Sequence, residues 1–92
     1  MTTLEKEVKI VNKYGLHARP AMQFVELANQ FNSQVQVSNG TLTVDAKSIM
    51  SVMRLAATKG TTLRIVADGA DSQKAIAALS KLVESGFGED DE

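Results

Sequence analysis

The sequence predicts an α+β protein, a two-layer open-faced sandwich with its elements in the order βαββαβα. Two observations carry this expectation. Stretches that alternate apolar and polar residues, such as QVQV at 34–37 and TLTV at 41–44, read as strands buried on one face. Between them lie stretches whose apolar residues recur at helical spacing. Strands with a single apolar face need cover on one side only. The helices supply it and leave the other face of a largely antiparallel sheet to water. A chain of 92 residues can bury one such core and not two.

Val8 and Ile10, separated by Lys9, predict the first strand, and Val11 extends its apolar character. Residues 18–31 then change period: Ala21, Phe24, Val25 and Ala28 fall at i, i+3, i+4 and i+7, one helical stripe. The two alternating stretches at 34–37 and 41–44 flank Ser38-Asn39-Gly40, and Asn39-Gly40 is the strongest local hairpin signal. A shorter helix is expected from Ser48 to about Ala57, stopped by Lys59-Gly60. Leu63, Ile65 and Ala67 predict a fourth strand, with Val66 on its other side. The last helix opens at Asp71-Ser72, is expected to bury Ala75, Ala78, Leu79 and Leu82, and ends before Gly86.

Composition narrows the function classes. There is no cysteine, so disulfides, iron–sulfur clusters and thiol nucleophiles are excluded. The longest apolar run, residues 75–79, is too short for a membrane insertion, and MTTLEKEVK lacks the apolar stretch of a signal peptide. A cytoplasmic location is expected. Four of the eleven acidic residues are the last four, so the chain before them carries +3 against −1 overall. The expected organisation is one domain over 1–88 and a solvated, mobile acidic tail over 89–92. Aromatics are only 4% and no basic cluster interleaves with them, which argues against nucleic acid as a partner. Asp68 and Asp71 around Gly69 lack the ligand count of a calcium loop, and one histidine cannot build a zinc site; no metal is expected.

The chemistry-bearing motif is GLHARP, residues 15–20. Gly15 permits a tight turn of positive φ. Pro20 is tolerated only in a helix's first turn, where its missing N–H has no intrahelical acceptor to lose. Either Arg19 or His17 is then the cap, and in both placements the imidazole lies at the positive end of the helix dipole. That position favours the neutral, nucleophilic ring. Unpaired N–H groups of the first turn and the Arg19 guanidinium can receive phosphoryl oxygens. A lone histidine at a helix start is more often a simple loop or cap residue, and the residues alone leave both readings open.

Met22 lies off the core stripe, on the side of Glu26 and Asn29, and Ile49, Met50, Val52, Met53, Leu55 and Ala56 cover more than one face of the second helix. Adaptable methionines suit a surface that meets several partners, although the same pattern also fits core packing. Ser48 is placed to cap that helix, and a phosphate there would gain from the dipole as well.

These motifs resemble HPr, the histidine-containing phosphocarrier family of the bacterial phosphoenolpyruvate-dependent phosphotransferase system. The resemblance runs from about residue 5 to residue 86 and rests on GLHARPA (15–21), KSIM (47–50), SNG (38–40) and ATKG (57–60). It implies a four-stranded antiparallel sheet with three helices on one face. It also implies that His17 is phosphorylated on Nδ1 by phosphorylated enzyme I and passes the group to a IIA protein or domain. By the same resemblance Arg19 steadies the phosphate, helped by the backbone N–H groups of Ala18 and Arg19. The nonpolar surface of Ala18, Met22, Ile49, Met50 and Met53 docks donor and acceptor. Such a chain is a covalently modified carrier rather than an enzyme, and it needs no cofactor. With one docking face it is expected to be a monomer.

VNKYGLHARPAM and SGFGEDDE resemble the nitrogen-related branch, and Glu26 stands where sugar-transport members tend to carry a lysine. KSIM resembles members whose serine is phosphorylated by the HPr kinase/phosphorylase, which makes Ser48 a regulatory site; the glycine that usually follows is Ser51 here. The expectation is a carrier with mainly regulatory output. The alternative from another class is a binding module acting through Ser48 and the Met-rich helix surface, with His17 unused.

Overall fold

Apolar residues alternating along the strands, interrupted at Lys6 in the first, build one dry face of a four-stranded sheet. The structure, a computed structural model, describes residues 3–89. Its elements are β1 (Thr3–Lys9), α1 (Ala18–Ala28), β2 (Gln34–Ser38), β3 (Thr43–Asp45), α2 (Ile49–Met53), β4 (Thr62–Asp68) and α3 (Ser72–Glu84), followed by a 3-10 turn at Gly86–Gly88. The strands run antiparallel in the spatial order β1-β4-β2-β3. Register places Val8 opposite Leu63, Val37 opposite both Ile65 and Val44, and Val35 opposite Ala67, all buried. A one-residue slip would turn this whole set to water, so the apolar pattern sets the register. The other face is polar, with Glu7, Gln36, Thr43 and Arg64 exposed. Charged side chains along β1 protect that edge from pairing with other chains.

Helix α1 buries Pro20, Ala21, Phe24, Val25 and Ala28, the predicted stripe extended by the proline. It stops short of residue 31 because the Asn29 amide takes the Val25 carbonyl at 2.9 Å and reaches the Lys47 carbonyl at 3.1 Å. Gln30 and Phe31 then close tighter turns on the carbonyls of Leu27 and Ala28. Val11, expected to continue the first strand's apolar run, is exposed, and Asn12 next to it is the buried residue.

Three further expectations need correction. The hairpin loop is longer than a two-residue turn: Ser38 pairs with Thr43, so Thr41 and Leu42 leave the predicted strand. Asn39 explains this, since its Oδ1 accepts from the N–H groups of Thr41 and Leu42 at 2.9 and 2.8 Å while its Nδ2 donates to the Leu55 carbonyl. Helix α2 ends at Met53 and not near Ala57; the next residues tighten into i to i−3 bonds and Ala56 turns left-handed at φ +47°. In α3 the buried stripe is Ser72, Ala75, Ile76, Leu79, Ser80 and Val83, while Ala78 and Leu82 are half-buried. Counting apolar residues alone skips the two serines. Both are buried in that stripe, and Leu82 is left at its margin.

Candidate functional site

Residues 10–16 connect β1 to α1 and are tied to the segment that precedes β4. Ile10 N–H donates to the Thr61 carbonyl, Gly60 N–H to Ile10 and Leu16 N–H to Ala57, at 2.9, 2.8 and 2.9 Å. Gly15 makes the turn at φ +66°, and Leu16 anchors it in the core. The next residue, His17, is the N-cap of α1, with φ −76° and ψ −174°. Its carbonyl accepts the first helical bond from Ala21 at 3.0 Å, and Pro20 fills its place in the first turn. Of the two placements considered for the cap, the structure adopts His17.

The His17 side chain does not cap the helix; it projects outward and is about two-fifths exposed. Among the described residues the N–H groups of Ala18 and Arg19 have no acceptor, and the Arg19 guanidinium has no partner. Nucleophile, cation and unpaired amides thus share one helix end. His17 and Arg19 border a depression of about 420 Å³ that Tyr14, Gln23, Phe87, Gly88 and Glu89 complete. A hollow of similar size on the polar sheet face, beside Glu7 and Arg64, holds no comparable nucleophile.

Two neighbours of His17 were not legible in the sequence. Tyr14 meets the imidazole edge-on, with centroids 6.2 Å apart, and Lys13 lies 5.3 Å over the tyrosine ring. Glu89 places Oε2 2.9 Å from His17 Nε2, while its Oε1 accepts from Asn12 Nδ2 at 3.1 Å. Glu89, the first residue of the acidic tail, thus has both carboxylate oxygens within hydrogen-bond distance of a partner. Residues 90–92, the rest of that tail, lie outside the described residues. The available signal was Phe87 between two glycines, an apolar anchor able to bring the chain back to the body.

Ser48 caps α2: its Oγ accepts from Ser51 N–H at 3.3 Å, and its carbonyl accepts from Val52. Met50, Met22 and Met53 are 75%, 52% and 40% exposed, so the methionines are not core residues. With exposed Ala18 and half-buried Ile49 they cover the outside of α1 and α2. A groove of about 310 Å³ runs between Met22, Val25, Glu26 and Ile49. Among the described residues no group of three or more His, Asp or Glu could hold a metal, and no helix is long and apolar enough to cross a membrane.

Comparison with known proteins covers nearly the whole chain. Residues 4–85 match the family model described as PTS HPr component phosphorylation site. The chain is 45% identical over 86 residues to the phosphocarrier protein HPr of Neisseria meningitidis, covering 94% of this chain and 97% of that one. To the HPr of Cupriavidus necator it is 48% identical with the same coverage. The crystal structure of HPr from Thermoanaerobacter tengcongensis superposes with a TM-score of 0.90 at 46% identity, covering 95% of this chain and 98% of that one. Fold, matched length and relatives named as carriers rather than catalysts agree, and the chain belongs to the HPr phosphocarrier family of the phosphotransferase system.

Proposed function

We propose that this protein accepts a phosphoryl group on Nδ1 of His17 from phosphorylated enzyme I and delivers it to a IIA protein or domain. One observation supports the reading: the N-cap residue of α1 carries an exposed imidazole, beside two amides and a guanidinium that have no partners among the described residues. The lone pair of Nδ1 attacks phosphorus, and the bond to the donor breaks with its electron pair staying on the donor. In the second transfer His17 is the leaving group. The Ala18 and Arg19 amides and the Arg19 guanidinium receive the phosphoryl oxygens through charge-assisted hydrogen bonds. A partly exposed site with one arginine holds phosphate loosely enough to pass it on, and the docked partner completes the transition-state surroundings.

Ala18, Met22, Ile49, Met50 and Met53 form the docking face for both partners, supported by the exposure of the three methionines beside the site. Glu26 puts a negative charge in the groove beside Met22. That charge disfavours a strongly acidic acceptor and supports a regulatory, nitrogen-type output. Ser48 is a regulatory phosphorylation site for a kinase of the HPr kinase/phosphorylase type; its half-exposed hydroxyl next to Met50 supports this. The protein works as a cytoplasmic monomer, since its sheet face is polar and its apolar surface is the docking face.

Incubation with enzyme I and labelled phosphoenolpyruvate, followed by acid, tests the reading. An acid-labile label that His17→Ala abolishes is the expected result. A label that survives acid would point to Ser48 and the binding-module alternative. For the regulatory output, a deletion strain is grown on transported sugars; uptake lost and restored by this gene would contradict it.

A further inference from the structure

The last described residues form a built feature and not a trailing end. Gly86, Phe87 and Gly88 are all left-handed, at φ +70°, +59° and +72°. A bulky side chain rarely takes that conformation, and it persists at Phe87 because the ring is buried in the core. Gly86 lies against the loop that carries Asn12: a Cβ there would stand 3.6 Å from Val11 Cγ2 and 3.7 Å from Asn12 Cβ. The chain reversal delivers Glu89 to a point between two donors. One is Asn12 Nδ2, on a side chain 1% exposed and also fixed by the Gly15 carbonyl at 2.8 Å. The other is His17 Nε2.

We propose that Glu89 is a positioning residue for phosphoryl transfer: held by Asn12, its carboxylate keeps the proton of the neutral imidazole on Nε2 and leaves the lone pair on Nδ1. The inference rests on the phosphocarrier reading of His17. An ionised carboxylate only accepts hydrogen bonds, so a ring nitrogen bonded to it must carry hydrogen. The other nitrogen of a neutral ring is then the nucleophile. With a phosphoryl group on Nδ1, Nε2 keeps its proton and its acceptor. The contact therefore survives both transfers, and the ring need not turn over between them.

The carboxylate is uniquely suited to this place because both of its neighbours are donors. An amide in the same position accepts at one end only. If it accepts from Asn12, its NH₂ faces Nε2, which must then be the acceptor, and the proton moves to Nδ1. Glu89→Gln therefore raises the population of the wrong tautomer with almost no change in shape, and Glu89→Ala removes the preference.

Nitrogen-15 NMR of His17 in the full-length protein, recorded without phosphoryl donor at a pH where the ring is neutral, distinguishes the two nitrogens directly. The expected wild-type spectrum has a protonated Nε2 and an unprotonated Nδ1. Both variants shift toward the opposite form, and phosphoryl acceptance from enzyme I at saturating donor slows about tenfold. A wild-type ring protonated on Nδ1, spectra unchanged in the variants, or an unchanged transfer rate each overturns the proposal. Failure of the carrier reading is separate: it appears as absence of acid-labile label on wild-type protein, whereas the spectra require no phosphorylation.

Discussion

Gly15 packs so closely on Ala57 that a Cβ would come within 2.3 Å of the Ala57 carbonyl oxygen and 2.8 Å of Thr58 Cα. Both obstacles are backbone, and the contact joins the loop before α1 to the loop before β4. Gly15→Ala must push these loops apart and also occupy φ +66°, so it is expected to destabilise the fold by about 2–4 kcal/mol. The melting temperature should fall by roughly 10 °C or more. Phosphoryl acceptance should fall as well, because His17 is carried by the displaced loop. An unchanged melting temperature would show that the loops do not need this contact.

Arg19 has no structural partner among the described residues, which separates its proposed role in transfer from stability. Arg19→Gln should leave the unfolding free energy within about 0.5 kcal/mol of wild type. Transfer to and from His17 should slow by about a hundred- to a thousandfold, the scale of losing one preorganised donor at a site of developing negative charge. Single-turnover transfer kinetics beside thermal unfolding check both halves.

Met50 is the most exposed of the three methionines proposed to dock partners. Met50→Glu should leave stability within about 0.5 kcal/mol while raising the apparent KM for enzyme I about tenfold, with a smaller effect on the maximal rate. Equal KM for the variant and wild type would place the docking face elsewhere.

Asn39 satisfies three backbone groups at once, linking the β2–β3 loop to the end of α2. Asn39→Ala strands the Leu55 carbonyl and two amides, and a loss of about 1–3 kcal/mol in urea unfolding is expected.

Asp71 supplies a pH dependence with a definite sign. The hydroxyl of Ser33 and the N–H groups of Asn32 and Ser33 all donate to its carboxylate. These bonds, led by the Ser33 hydroxyl, hold the carboxyl below its ordinary value of 3.8. A carboxyl whose folded value is depressed contributes stability above its unfolded value and loses it as pH falls through the folded one. Unfolding midpoints measured downward from pH 5 should therefore decline with acid below about pH 4, and Asp71→Asn should be less stable at neutral pH with a shallower decline. Parallel profiles for variant and wild type would remove Asp71 from the account.

The strands, the stripe of α1, the element order and the GLHARP helix start were written in the sequence, because periodicity and backbone-restricted residues act within a few positions of themselves. Val8, Val35, Val37, Leu63 and Ile65 could be assigned to one sheet face by alternation alone, and Gly15 and Pro20 bracketed the start of α1. Ends of elements were another matter. Asn39 lengthened the hairpin loop by bonding Leu55, and Ser72 and Ser80 are buried in the α3 stripe although neither is apolar. The site divided in the same way: the neighbourhood of His17, Ala18 and Arg19 is local and legible. Glu89 is 72 residues from His17 and meets it only after Phe87 is buried and two glycines reverse the chain. Such a contact depends on where the packed core returns the chain, so only the tertiary structure could bring that carboxylate to that ring.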